Sequence, residues 1–305
     1  MNNPRIVCLG EGMVEERVAA DGTVTRHYGG DTLNTAIHLA RLGCRVSFLT
    51  AIGCDAESDS LLAAWSGEGV DSSLVLRHPD RHAGSYRIAL DAAGERSFSY
   101  DRCNSAARAM FALETAEAAM ADAKRAQLFV FSLISLAILP DDGRNGLLDL
   151  AHNVRANGGQ VAYDGNNRPA LWRSKDEACR WHDAAIATAD IGLPTLEDEI
   201  ALKSEQDIHQ LAAHWVWLGC GEVVVKAGSA GCLLPAGTMR PPPELFDPVD
   251  TSGAGDAFNA GYLGARLTGL DPEAAALVGH ELAGWTILRA GAIPPRDAQA
   301  PYKAP

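Results

Sequence analysis

Residues 250–261 read Asp-Thr-Ser-Gly-Ala-Gly-Asp-Ala-Phe-Asn-Ala-Gly, a glycine-rich turn, one carboxylate and the start of an apolar helical pattern. Backbone N–H groups at a helix start can receive anionic phosphate oxygens, here those of Gly253, Ala254 and Gly255. Asp256, at the same point, can take the proton of a hydroxyl that attacks a phosphate. The same string would also serve as a plain helix start, with Ser252 as cap and the glycines making a tight turn.

A second glycine turn, Gly29-Gly30-Asp31-Thr32-Leu33-Asn34, opens another helical pattern. Asp31 or Thr32 explains a cap, but paired glycines allow close approach to the backbone, and Asn34 offers donors and acceptors to hydroxyls. Tyr86, Tyr100 and Arg102 fall on two strand-like segments that can share a face, and a guanidinium there can grip a carboxylate in a fork. Arg168 follows the apolar run 160–164 and is held extended by Pro169, with Asp164 as a candidate ion-pair partner. Lys226, Gly228 and Gly231 lie in a strand–turn–strand pattern that reads as a hairpin. Glu197, Asp198 and Glu199 make an acidic first helical turn, favoured in any case by the helix dipole.

These groups need a scaffold. The chain has 305 residues, 47% of them hydrophobic, enough for a sizeable core. Its formal net charge of -13 argues against a nucleic-acid or anionic-membrane partner, and no apolar run approaches membrane-spanning length. The seven cysteines show no Cys-x-x-Cys spacing, which suits buried thiols in a reducing cytoplasm. Apolar runs at 5–10, 45–50, 127–132, 160–164, 190–193, 222–226 and 231–234 predict strands, separated by helical stretches such as 32–42 and 58–69. That alternation predicts a doubly wound, mostly parallel sheet. Two hairpins, around Asp21-Gly22 and around 91–94, do not fit it and are expected to form a small β lid over the sheet edge where such folds hold ligands. The first strand ends in Gly10-Glu11-Gly12-Met13-Val14-Glu15, so Glu15 stands where a dinucleotide fingerprint needs its third glycine.

The 29–35 and 250–261 strings, in this order near the two ends of the chain, resemble the two signatures of the ribokinase (PfkB) family of sugar kinases. The resemblance implies a ribokinase-like three-layer α/β fold, one domain over 1–305 with a lid formed by roughly 12–29 and 83–103. It implies Asp256 as base, the 253–255 amides as anion hole, and Mg-ATP as cosubstrate. The form Gly-Gly-Asp-Thr-Leu-Asn-Thr resembles the branch acting on the sugar acid 2-keto-3-deoxygluconate, whose matching positions are Gly30, Asp31, Asn34, Tyr86, Tyr100, Arg102 and Arg168. A second arginine suits a carboxylated sugar better than fructose, while the galactonate epimer stays open. The resemblance also carries over Asn166, Lys226, Gly228, Gly231, Ser252 and His280 to the nucleotide. Thr195 and Asp198 stand in place of an Asn-x-x-Glu pair, so Asp198 is the candidate acid for Mg²⁺ through water. Asp250, with Ser252 and Gly291, matches a monovalent-cation position such as K⁺. The exposed lid is a surface on which a second copy could pair.

Overall fold

A computed structural model describes residues 4–18, 22–90, 96–204 and 207–302. Its centre is a seven-stranded sheet of β1 (Arg5–Leu9), β4 (Arg45–Gly53), β5 (Val75–His78), β8 (Leu128–Ser132), β9 (Gln160–Asp164), β10 (Ile191–Gly192) and β11 (Glu222–Val223), in the order β11-β10-β9-β8-β1-β4-β5. Every neighbouring pair in it is parallel. β8 is buried throughout and β9 is buried after its first residue, as a sheet covered on both faces requires.

Alternate side chains enter two cores. Val7, Leu9, Phe129, Phe131, Val161 and Tyr163 face one core. It is covered by α3 (Ala116–Ala123), α4 (Leu133–Ile138), α5 (Asp141–Ala156), α6 (Lys175–Ile186), α7 (Leu196–Lys203) and α8 (Ile208–Trp217). Ile6, Cys8, Leu128, Val130 and Ala162 face the other. That side is covered by α1 (Asp31–Arg41), α2 (Ala56–Gly67), α9 (Ala254–Leu267) and α10 (Pro272–Ile287). The result is the expected three-layer α/β arrangement.

The lid is a separate four-stranded sheet, β3 (Val24–Gly29), β2 (Met13–Val18), β6 (Gly84–Leu90) and β7 (Arg96–Asp101), in the order β3-β2-β6-β7. Each hairpin is antiparallel, with Tyr86 opposite Tyr100, but the two are joined by the parallel pair β2–β6, Met13 opposite Gly84. The turn at 91–94 and Asp21 of the first turn lie outside the described residues.

Two strand readings are revised and one strand is new. The run 222–226 is not one strand, because β11 ends at Val223 and β12 (Val225–Lys226) turns into a second sheet. The run 231–234 supplies β13 (Cys232–Leu233), which pairs antiparallel with β12 as the hairpin expected there, and with β14 (Met239–Arg240), and so does not join the parallel series. Short parallel β5 was not foreseen. Its Val-Leu-Arg-His sequence carries no clear alternation, and its pairing with β4 is decided by packing.

Candidate functional site

The site forms where the C-terminal ends of β1, β8 and β9 meet the N-termini of α1 and α9. Neither helix is capped by the side chains proposed from sequence. Gly30 is the N-cap of α1, while the Asp31 carboxylate accepts from its neighbour Thr32 N at 2.8 Å. Gly253 is the N-cap of α9, at φ 72°, and Ser252 N instead donates to Asp250 Oδ1 at 3.0 Å. A Cβ on Gly253 would lie 2.5 Å from that of Ala292, so glycine satisfies both the left-handed backbone and the close approach. In the first turn of α9, Ala254 N donates to the Thr251 carbonyl at 3.3 Å, and the i→i−4 bonds of the helix begin with Ala257 N to the Gly253 carbonyl at 2.8 Å.

Asp256 is almost fully buried, and Asn34 Nδ2 donates to its Oδ2 at 2.8 Å, joining the two signature strings across the molecule. Its carboxyl is pushed up from 3.8 to about 8, first by burial and then by the negative Asp31, with Asp164 adding to the rise. The Asn34 hydrogen bond and Lys226 oppose it. Asp31 is also pushed up by burial, and Arg102 is among the groups pulling it back. Asn166 Nδ2 donates to Asp31 Oδ2 at 3.2 Å, so Asn166 lies beside the α1 turn. Asp198 is pushed up to about 6 by burial, against the pull of Arg168. Three carboxyls whose proton affinity is raised first of all by burial mark a desolvated pocket, the kind of place where functional sites are found.

Lys226 does not project freely toward a ligand. It is buried, and its Nζ donates to Asp164 Oδ1 at 3.1 Å and Asn259 Oδ1 at 2.9 Å. Asn259 Nδ2 closes the triangle on Asp164 Oδ2 at 2.9 Å. With Asp164 so engaged, Arg168 pairs with Asp198 at 3.6 Å instead, its side chain half exposed. Gly228 stands open at a turn, and Gly231 packs against the Arg240 carbonyl. His280 is held neutral by burial, its Nε2 3.1 Å from the Arg240 carbonyl and its ring edge-on to Phe258. These contacts set His280 between α10, α9 and β14. Asp250 is buried and accepts from Gly291 N at 2.9 Å, tying the approach to α9 to the C-terminal loop.

On the lid, the rings of Tyr86 and Tyr100 lie 5.9 Å apart, and the Tyr86 hydroxyl donates to Glu15. Arg102 forms a buried ion pair with Glu11. The structure thus brings Gly30, Asp31, Asn34, Asn166, Asp256 and the 253–255 turn together, with Arg102 and Arg168–Asp198 around them. Glu11, Glu15 and Asn259 were missed. Asn259 had a signal, since it lies three residues after Asp256 on one helix face. A charged residue between Gly10 and Gly12 at a strand end was the signal for Glu11.

The model of the pfkB family carbohydrate kinases matches residues 4–299. The chain belongs to that family. This pfkB-family kinase is 41% identical to the 2-dehydro-3-deoxygluconokinase of Escherichia coli K12 over 96% of its own length and 98% of the relative's. It is 38% identical to that of Dickeya dadantii, over 98% and 99%. Among solved structures it resembles a PfkB protein from Polaromonas sp. JS666, with a TM-score of 0.80, 26% identity and 92% and 94% coverage. Among the described residues no helix is long and apolar enough to cross a membrane, and no three His, Cys, Asp or Glu side chains form a group that could hold a metal ion.

Proposed function

We propose that this kinase transfers the γ-phosphoryl group of ATP to the terminal hydroxyl of 2-keto-3-deoxy-D-gluconate, giving the 6-phosphate. The observation that carries the reading is Asp256, buried, held by Asn34 and set in the first turn of α9 behind Gly253 and Gly255. Raised to about 8, its proton affinity makes the ionised carboxylate a stronger acceptor for a hydroxyl proton, so activity should rise with pH as that form is populated. The near-full-length likeness to 2-dehydro-3-deoxygluconokinases supports the acceptor.

In this reading Asn34 aims the carboxylate, and Asp31 and Asn166 hydrogen-bond the sugar hydroxyls. Tyr86 and Tyr100 cover the sugar, and Arg102 and Arg168 face its carboxylate. The amides from Gly253 to Gly255 receive the phosphate charge with no reorganisation, because the turn is already formed. Lys226 acts indirectly, by holding Asp164 and Asn259 beneath that turn. The donor set fits Mg²⁺ brought by the nucleotide: a half-buried carboxyl such as Asp198 suits an ion held through water and phosphate oxygens. When bound, Mg²⁺ supplies charge neutralisation on the phosphates. A monovalent cation at Asp250, a cytoplasmic location, one domain with its lid, and pairing of two copies through the lid belong to the same proposal.

The test is an ADP-release assay with Mg-ATP over a panel of sugars and sugar acids. Turnover on 2-keto-3-deoxygluconate well above that on fructose or ribose is expected, with nearly all of it lost in Asp256→Asn. Equal turnover on neutral sugars, or an active Asp256→Asn enzyme, would overturn the assignment.

A further inference from the structure

We propose that Glu11 is a positioning residue for Arg102, and through it a determinant of affinity for acidic sugars. The inference rests on the reading of Arg102 as a carboxylate-binding side chain.

Glu11 lies in the short link from β1 of the central sheet to β2 of the lid, whereas Arg102 follows β7, at the other end of the lid sheet. Their ion pair therefore ties the entry of the lid to its exit. The Glu11 side chain is 1% exposed and that of Arg102 10%. Two features show that space has been made for the pair. A Cβ on Gly84, at the start of β6, would lie 2.7 Å from Glu11 Oε1 and 3.4 Å from Arg102 Cβ. A Cβ on Gly30 would lie 2.1 Å from the Glu11 carbonyl oxygen, so the Glu11 backbone packs tightly against the α1 turn that carries Asp31.

The pair is incomplete as well as buried. Glu11 Oε2 accepts from Arg102 Nη2, but Glu11 Oε1 and Arg102 Nε have no hydrogen-bond partner among the described residues. Unpartnered buried polar atoms are costly, and they persist where a ligand completes them. A guanidinium has five donors, so one oxygen of Glu11 can fix its orientation and leave other N–H groups for a second carboxylate. Without Glu11, the cation would sit unaimed in the field of Asp31, whose proton affinity it already lowers. Glu11 holds it at the lid root, where an arriving carboxylate meets a preset fork.

The test is a double-mutant cycle on the full-length enzyme, Glu11→Ala and Arg102→Ala singly and together. The assay is steady-state kinetics with 2-keto-3-deoxygluconate and Mg-ATP. Glu11→Ala is expected to raise KM for the sugar acid about tenfold, the loss of one aimed charge-assisted hydrogen bond, with much smaller changes in kcat and in KM for Mg-ATP. In the Arg102→Ala background the same change should have almost no further effect. An unchanged KM in Glu11→Ala, or fully additive effects in the double variant, overturns the proposal. If Glu11→Ala does not fold, Glu11→Asp keeps the charge but withdraws it by one methylene, and the same two outcomes decide. Wild-type enzyme inactive on every sugar acid would instead refute the functional reading on which the inference rests.

Discussion

Asp256→Asn should make the protein more stable as well as inactive, and the gain should grow with pH. Asp256 titrates at about 8 in the folded chain against an ordinary 3.8. Below pH 4 both folded and unfolded chains hold the proton and nothing is lost. Between 4 and 8 the folded state keeps a proton that the unfolded state has released, so stability falls by about 1.4 kcal/mol per pH unit. Above 8 the folded carboxylate is charged and buried, and the accumulated penalty levels off at roughly 6 kcal/mol. Asparagine does not titrate, has nearly the same shape, and its carbonyl can still accept from Asn34. Its advantage over Asp should therefore widen by about 4 kcal/mol between pH 5 and pH 9, and relief of repulsion on Asp31 acts in the same direction. Urea unfolding of both proteins at pH 5, 7 and 9, with ADP release measured on the same samples, provides the assay. A stability gap that stays constant or narrows with rising pH would refute the argument that burial beside Asp31 keeps this carboxyl protonated.

Lys226→Ala strands Asp164 and Asn259 without their shared cation, and thermal unfolding should show a loss of about 3–5 kcal/mol. Unchanged stability would mean the triangle is not what holds β9 to α9. Gly253→Ala forces a left-handed residue to carry a Cβ against Ala292. Unfolding should record a cost of about 1–3 kcal/mol, with kcat reduced in parallel. Arg168→Ala frees Asp198 and removes a guanidinium from the rim, so KM for sugar acids should rise while KM for neutral sugars does not. Parallel rises for both would remove Arg168 from acid recognition.

Local pattern made much of this molecule legible. The β6–β7 hairpin was readable from alternation about a turn, and α1 from its spacing and the Gly43 stop. Pairing between distant segments was not: no local signal announces that β2 lies parallel to β6, or that the strand run 222–226 breaks after Val223. The site divides the same way. Asp256 and Asn34 could be chosen by residue type and motif, since backbone turns dictate their places. The partners of Lys226 and Arg168 depended on competition for Asp164, which side-chain packing decides and spacing does not. The buried Glu11–Arg102 pair escaped because a charged residue beside glycines reads as surface until the lid is folded over it.

The contact between Asn34 and Asp256 spans 222 positions of the chain, and that from Asn259 to Asp164 spans 95. A ribosome therefore completes the acceptor half, with α1, the lid and the loop after β9, well before the base and its glycines exist. Both of the latter arrive together, on one turn of α9. If Asp256 is the base proposed above, a chain interrupted before that turn lacks both that base and the proposed anion hole. On that proposal, the order of synthesis leaves the proton-accepting half of the site to be assembled last.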